Sequence, residues 1–321
     1  PQDGRLRFQF DEDNIDVRVS MVPVTRGENI VMRLLSSAIR NYSLNNIGLS
    51  DRDSKIVNGF LRNPKGMMLV VGPTGSGKTT TVYAVMKILN THEVHVSAIE
   101  DPVEYDIQGI SQIQVNPAVG LTFADGLRSI VRQDPDIIIV GEIRDTETAN
   151  IAINAAMTGH IVLSTLHANN AATTIIRLMD MDVEEYLVAS TVSIIVAQRL
   201  VRKICQYCRT THTITKAEKS FIDSIPEAKE LYEKYAEKDA RLYSGKGCNV
   251  CDQTGFHGRI GIFEILEVDD KIREGIKVHA SHQELEKIAK KNGMTTMLED
   301  GIQKVLLGET TLEEVLREVH E

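Results

Sequence analysis

Gly72, Pro73, Thr74, Gly75, Ser76, Gly77, Lys78 and Thr79 form a G-x-x-x-x-G-K-T run, a pattern that can cradle a polyphosphate. Its glycines let the backbone curve tightly enough for successive N–H groups to face phosphate oxygens, and a helix starting behind it adds its positive N-terminal dipole. Lys78 would reach the β- and γ-phosphates, Thr79 would hold Mg2+, and Thr80 closes the set of nucleotide contacts. Both flanks fit this reading. Met67 to Val71 is an apolar run of the buried-strand type, and Thr80 to Val85 opens a helix. A glycine-rich turn that merely connects strand to helix is the competing reading, and agreement at all eight positions and both flanks weighs against it.

Transfer of a phosphoryl group to water also needs a carboxylate to orient or deprotonate the attacking water. Glu142 follows the apolar run Ile137 to Val140, Glu100 and Asp101 follow Val94 to Ile99, and His167 follows Ile161 to Thr165. In an open α/β sheet, ligands bind beyond the carboxyl ends of the strands, so these three strand ends deliver acid, acid and imidazole to the edge that bears the loop. Glu142 is the first candidate for the base and Glu100 the second, with Asp101 or Glu104 assisting at the metal. His167 can hydrogen-bond the γ-phosphate, although a lone histidine after a strand is as readily a satisfied loop residue. Asp134 and Asp136 precede their strand and are read as turn and capping residues at the far edge.

The four cysteines are paired as Cys205-Gln-Tyr-Cys208 and Cys248-Asn-Val-Cys251, with 39 residues between the pairs. Two C-x-x-C knuckles can bring four thiolates around one tetrahedral Zn2+, which then has no open position for catalysis. The spacing exceeds that of a simple zinc ribbon and includes a charged helical stretch, Ala217 to Ala240, expected to project as an insertion. A reactive dithiol would need only one pair, and disulfides are not expected in a chain with no secretory signal.

The elements that must position these groups follow from periodicity. Leu6, Phe8 and Phe10, then Val17, Val19 and Met21, alternate around the polar segment Asp11 to Asn14 as in a hairpin, and Asn29 to Leu35 is a third strand. Arg18 and Arg33 lie on these strands and, from spacing alone, are exposed strand arginines. Ala38 to Ile47 is polar and reads as a linker, with residues 1–40 before it as a separate small unit and 41–47 as the connection itself. From Gly48 onward, helices at Ser50 to Arg62, Thr122 to Arg132 and Thr146 to Thr158 alternate with strands. That pattern predicts a mostly parallel sheet with helices on both faces over 48–204, then a four-cysteine unit over 205–262 and helices over 263–321.

Composition sets the limits. The 321 residues are 42% hydrophobic and 25% charged, ordinary for a globular protein, and the net charge of −9 does not favour a broad nucleic-acid surface. The longest apolar stretch, Leu187 to Val201, is interrupted by polar residues, is too short to cross a bilayer and reads as a packed helix. No signal peptide is visible, and a first residue of Pro1 reads as a fragment or a processed chain.

Several long motifs in a fixed order resemble the signature boxes of the secretion-superfamily ATPases, the assembly motors of type IV pili and type II secretion. They are Gly72 to Thr79, Ile99-Glu-Asp-Pro-Val-Glu104, Arg132-Gln-Asp-Pro-Asp136 with Gly141-Glu-Ile-Arg-Asp145, and Thr158-Gly-His-Ile-Val-Leu-Ser-Thr-Leu-His167. Asp16-Val-Arg-Val-Ser20, Val31-Met-Arg-Leu-Leu35, Ala197-Gln-Arg-Leu-Val201 and both cysteine pairs extend the likeness over nearly the whole chain. The resemblance implies a RecA-like P-loop NTPase core, a small N-terminal α+β domain of PAS-like type, and a zinc-binding insertion followed by helices. It implies ATP and ADP as ligands with Mg2+, and catalytic roles for Lys78, Glu100, Glu142 and His167. Arg18 and Arg33 match arginines that approach the phosphates from the N-terminal domain. Retraction motors of this superfamily lack the cysteine pairs, so their presence here points to assembly or secretion. A homohexamer on the cytoplasmic face of the inner membrane, docked on a platform protein through a further N-terminal domain, is also implied. Two other functions were weighed: a nucleotide-gated scaffold with little turnover, which the two glutamates and two arginines disfavour, and a nucleic-acid translocase on the same core, which the acidic charge disfavours.

Overall fold

The computed structural model describes residues 1–10, 13–35, 43–236 and 240–320. Part of the expected Asp11–Asn14 turn, part of the linker and the end of the Ala217–Ala240 stretch lie outside the described residues. Three antiparallel strands, β1 (Gln2–Phe10), β2 (Asp13–Val24) and β3 (Gly27–Leu35), form the first sheet. Its register sets Arg18 directly opposite Arg33. Like charges in that position repel unless an anion is near.

The core is a seven-stranded sheet. In chain order its strands are β4 (Gly66–Val71), β5 (Val96–Glu100), β6 (Ile110–Gln114), β7 (Ile137–Val140), β8 (Ile161–Leu166), β9 (Val192–Ile204) and β12 (Phe256–Glu267), and in space they run β12-β9-β4-β8-β7-β5-β6. Every neighbouring pair is parallel except β9 with β12. Strand β4 lies between β8 and β9 with all six residues buried. Met67, Leu69 and Val71 point into one apolar layer, and Met68 and Val70 into the other. A strand covered on both faces has no need of alternation, which is why it reads as an unbroken apolar run.

Helices α1 (Asp51–Phe60) and α2 (Lys78–Leu89) cover one face through Val57, Phe60, Val82, Val85 and Met86. The other face is packed by α3 (Phe123–Val131), α4 (Thr146–Met157), α5 (Ala171–Asp180), α6 (Glu185–Thr191) and the C-terminal helices α9 (Asp270–Lys277), α10 (His282–Lys291), α11 (Met297–Leu306) and α12 (Leu312–His320). Ser50 caps α1 as expected, Thr122 and Asp145 likewise accept from a backbone N–H in the first turns of α3 and α4, and Asp136 accepts from His95 N–H at 2.7 Å on the far edge.

The structure corrects one element. Leu187 to Val201, read as a packed helix, is the end of α6 followed by the first ten residues of the long strand β9. Val192, Ile194, Ile195 and Val196 are β-branched, and a strand bearing residues that both layers bury satisfies them better than a helix. The charged insertion divides into α7 (Lys216–Ser224) and α8 (Pro226–Tyr235), with Pro226 ending the first helix, and a two-stranded ribbon of β10 (Arg209–Thr213) and β11 (Arg241–Gly245) brackets them. The described end of the linker is packed: Leu44 and Ile47 are buried, and Ile47 accepts from Gly261 N–H at 3.1 Å. The expected division at 262 falls within β12.

Glu264 on β12 is buried in the apolar layer and accepts from the backbone N–H of Ala171 at 2.9 Å and from that of Met297, the first residues of α5 and α11. Burial pushes its carboxyl up to about 7 against these two donors, with Glu286 raising it further and Lys290 opposing. The native state therefore holds this proton at pH values where the unfolded chain has lost it. Stability contributed by Glu264 falls as pH rises from the ordinary glutamate value of about 4.5 towards 7, by roughly 1.4 kcal/mol per unit of separation. Urea unfolding of the parent and of Glu264→Gln should show that the parent loses about 2–3 kcal/mol more than the variant between pH 5 and pH 7.5. Parallel pH profiles would show that this carboxylate is not the group responsible.

Candidate nucleotide site

The phosphate loop joins the carboxyl end of β4 to α2, whose first residue is Lys78. Gly72, Gly75 and Gly77 have φ of 148°, 82° and 89°, values that side chains resist, so the loop can take this curve only with glycine there. Pro73 and Gly77 are half-buried, Thr74 and Gly75 exposed and Ser76 buried. The Lys78 ammonium donates to the carbonyls of Gly72 at 2.8 Å and Pro73 at 3.0 Å. Burial holds it below the ordinary lysine range, while Glu142 pulls it back upward. Thr79 is exposed and Thr80 half-buried in the first turn of α2.

Strand ends bring a charged cluster to the same edge. Glu142, just past β7, forms an ion pair with Arg144 and lies 3.4 Å from His167 Nε2 beyond β8. Arg144 also reaches Asp101 at 3.4 Å and lies over the Phe123 ring at 5.9 Å. Lys78, Glu142 and His167 are thus brought together as expected. The sequence reading gave Arg144 no role; its position two residues after Glu142 was the available signal.

Glu100 is placed differently from Glu142. It is buried at the end of β5, where one oxygen accepts from the Tyr83 hydroxyl of α2 at 2.6 Å and the other from Gln112 Nε2 at 2.8 Å. Burial pushes its pKa up, and the two hydrogen bonds oppose that shift. Its carboxylate ties the phosphate-loop helix to the sheet. Tyr83 and Gln112 were missed because nothing in their spacing marks them as a carboxylate's partners.

Arg18 and Arg33 are on the N-terminal sheet and line a cleft of about 510 Å3 with Asp3, Val31, Pro102 and Gln114. Arg18 donates to the Glu104 carboxylate at 2.7 Å. The cleft borders the loop after β5 and does not include Lys78, so in this arrangement the two arginines are not brought onto the phosphate loop.

The four cysteines meet where β9 ends and β12 begins. Sγ–Sγ separations are 3.8 Å for Cys205–Cys248, 3.8 Å for Cys208–Cys251 and 3.6 Å for Cys248–Cys251. A tetrahedral Zn2+ with bonds of about 2.3 Å has sulfur–sulfur edges of about 3.8 Å, so the donor set fits that ion. All four sulfurs lie within 4.8 Å of one another, and none is in a disulfide. Among the described residues no helix is long and apolar enough to cross a membrane.

A parallel-sheet core, a phosphate loop at the end of a fully buried strand, carboxylates beyond other strands of the sheet and a four-cysteine cluster define a P-loop NTPase-type fold with an insertion whose sulfurs could hold a metal ion. The chain belongs to the type II/IV secretion system protein family, whose profile matches residues 1–317. It is 44% identical over 321 residues to type II secretion system protein E of Pseudomonas aeruginosa, and 45% identical over 318 residues to the type IV pilus assembly ATPase PilB of Thermus thermophilus. These matches cover 100% and 98% of this chain but 62% and 35% of the relatives, so the chain spans only part of their length. Among solved structures it resembles the ADP-bound pilus retraction motor PilT, at TM-score 0.67 and 26% identity over 98% of this chain and 77% of that one. It also resembles the Legionella pneumophila ATPase DotB, at TM-score 0.67 and 21% identity over 99% and 77% of the two chains. The expected family and the α/β fold class are both borne out.

Because burial disfavours the Glu100 carboxylate and the Tyr83 and Gln112 donors oppose that, loss of a donor should be costly. Tyr83→Phe is expected to destabilise the protein by about 1–3 kcal/mol, and by more at pH 8 than at pH 5, since the hydroxyl supports the ionised carboxylate. Equal urea midpoints for parent and variant would show that the Tyr83–Glu100 bond contributes nothing.

Proposed function

We propose that the chain is the motor portion of an Mg2+-dependent ATPase that works as a ring of six and powers assembly of a type IV pilus or a type II secretion pseudopilus. The observation that carries this reading is the position of Glu142, held between Arg144 and His167 at the strand edge and close enough to Lys78 to shift its titration. Lys78 leaves the Gly72 and Pro73 carbonyls for the β- and γ-phosphates, and the backbone N–H groups of Thr74 to Thr80 line the rest of the polyphosphate. Mg2+ held by Thr79 would neutralise charge on the γ-phosphate. Glu142 orients the attacking water and takes its proton, and His167 contacts the γ-phosphate. Glu100 acts from its buried position by fixing the strand end beside the metal.

Arg18 and Arg33 supply the mobile charge. Arg18 is now paired with Glu104, and a triphosphate offers it a stronger anion, so closing the N-terminal sheet onto nucleotide exchanges one partner for the other. Hydrolysis reverses the exchange and produces movement between the two units. The relatives named for pilus assembly and type II secretion support this assignment, as do the cysteine pairs, which would hold one structural Zn2+. By the same likeness the protein sits at the cytoplasmic face of the inner membrane through a platform partner.

In purified protein, Glu142→Gln should lower ATP turnover by ~10²-fold or more while ADP still binds. A variant as fast as the parent would mean that Glu142 is not the base. Elemental analysis of freshly reduced protein should find about one zinc per chain, falling to a small fraction of that in Cys208→Ser. A metal-free parent would remove the zinc assignment.

A further inference from the structure

Gln198 lies on β9 and is 2% exposed, yet both ends of its amide are engaged by the segment that forms the phosphate loop. Its Nε2 donates to the Ser76 carbonyl at 2.7 Å across 122 residues of sequence, and its Oε1 accepts from the Thr81 hydroxyl at 2.7 Å. Ser76 and Thr81 are themselves buried, so these bonds are made away from water and have no ready substitute. The loop also packs on Gln198 elsewhere. A Cβ on Gly72 would come within 2.4 Å of the Gln198 carbonyl, and one on Gly77 within 3.1 Å of its Nε2.

We propose that Gln198 is a positioning residue for nucleotide binding, fixing the orientation of the Ser76–Gly77 peptide so that its N–H faces the phosphates. The inference rests on the reading of Gly72 to Thr80 as the nucleotide cradle. In a trans peptide the C=O and N–H point in opposite directions. With the Ser76 carbonyl held by Gln198, the Gly77 N–H is directed away from β9. Gly77 has φ 89° and no side chain, so little else opposes a flip of that plane. A flipped peptide would offer the phosphates a carbonyl in place of a donor. The Thr81 hydroxyl holds the amide's other end, so that the –NH2 side is the one presented to Ser76.

The test uses fluorescent ADP titration and melting of the nucleotide-free protein for the parent, Gln198→Met, Thr81→Val and Lys78→Ala. Gln198→Met keeps the length and bulk of the side chain but neither bond. It should weaken ADP binding about tenfold or more at temperatures well below its melting point. Thr81→Val should weaken binding about two- to fivefold, and the double variant should match Gln198→Met, because the two residues act through one amide. A purely structural role would lower the melting temperature and leave affinity in the folded protein unchanged. Affinity within twofold of the parent in folded Gln198→Met therefore overturns the proposal. If Gln198→Met does not fold, unchanged affinity in Thr81→Val overturns it instead. Failure of Lys78→Ala to weaken binding would refute the nucleotide cradle itself, a separate result.

Discussion

The structure depends on burial of β4 on both faces. Its six residues have no contact with water, so the strand can neither slide nor tilt without opening an apolar layer on one side or the other. The loop that follows leaves this strand in glycine-only backbone conformations and enters α2 at once, so its position is inherited from the most constrained part of the core. Binding a polyphosphate requires several N–H groups to converge on one anion, and convergence is lost if the base of the loop moves by an ångström. The neighbours of β4 add to the same constraint: β8 leads to His167 on one side, and β9 carries Gln198 on the other.

The charges at this edge compensate one another. Lys78 is turned onto its own loop carbonyls, Glu142 is shared by Arg144 and His167, Arg144 reaches Asp101, and Arg18 is matched by Glu104. Lys78, Arg144 and Arg18 each have a carbonyl or carboxylate partner already, so an incoming phosphate would have to exchange for it. Arg18 and Arg33 face each other on β2 and β3, a placement that is costly unless an anion is near. Glu100 stands outside this exchange, because both of its oxygens are committed to protein donors.

Much of this was legible in the sequence because the signals are local. The phosphate loop, the cap Ser50, and the strand ends at Glu142 and His167 all follow from short-range pattern and from the rule that places ligands beyond parallel strands. The cysteine pairs were equally plain, since four sulfurs at knuckle spacing admit few other uses. What failed was long-range. Leu187 to Val201 carries polar residues at Ser193, Gln198 and Arg199 that break strand alternation, and only pairing with β4 and β12 decides its conformation. Gln198 and Tyr83 are ordinary residues by type, and their partners are 122 and 17 positions away, distances that no spacing rule reaches. The division expected at 262 falls inside the edge strand of the sheet, whose pairing with β9 is likewise long-range.

Glu264 gives that continuity a mechanical meaning. One carboxylate receives the first N–H of α5, which follows the His167 turn, and the first N–H of α11, from the end of the chain. Two helices joined at one buried carboxyl cannot separate without leaving its oxygens unpartnered in an apolar layer. The C-terminal helices and the strand edge beyond β8 are therefore fastened to each other through β12. To the N-terminal sheet the tie is of another kind, the partly buried Arg18–Glu104 ion pair.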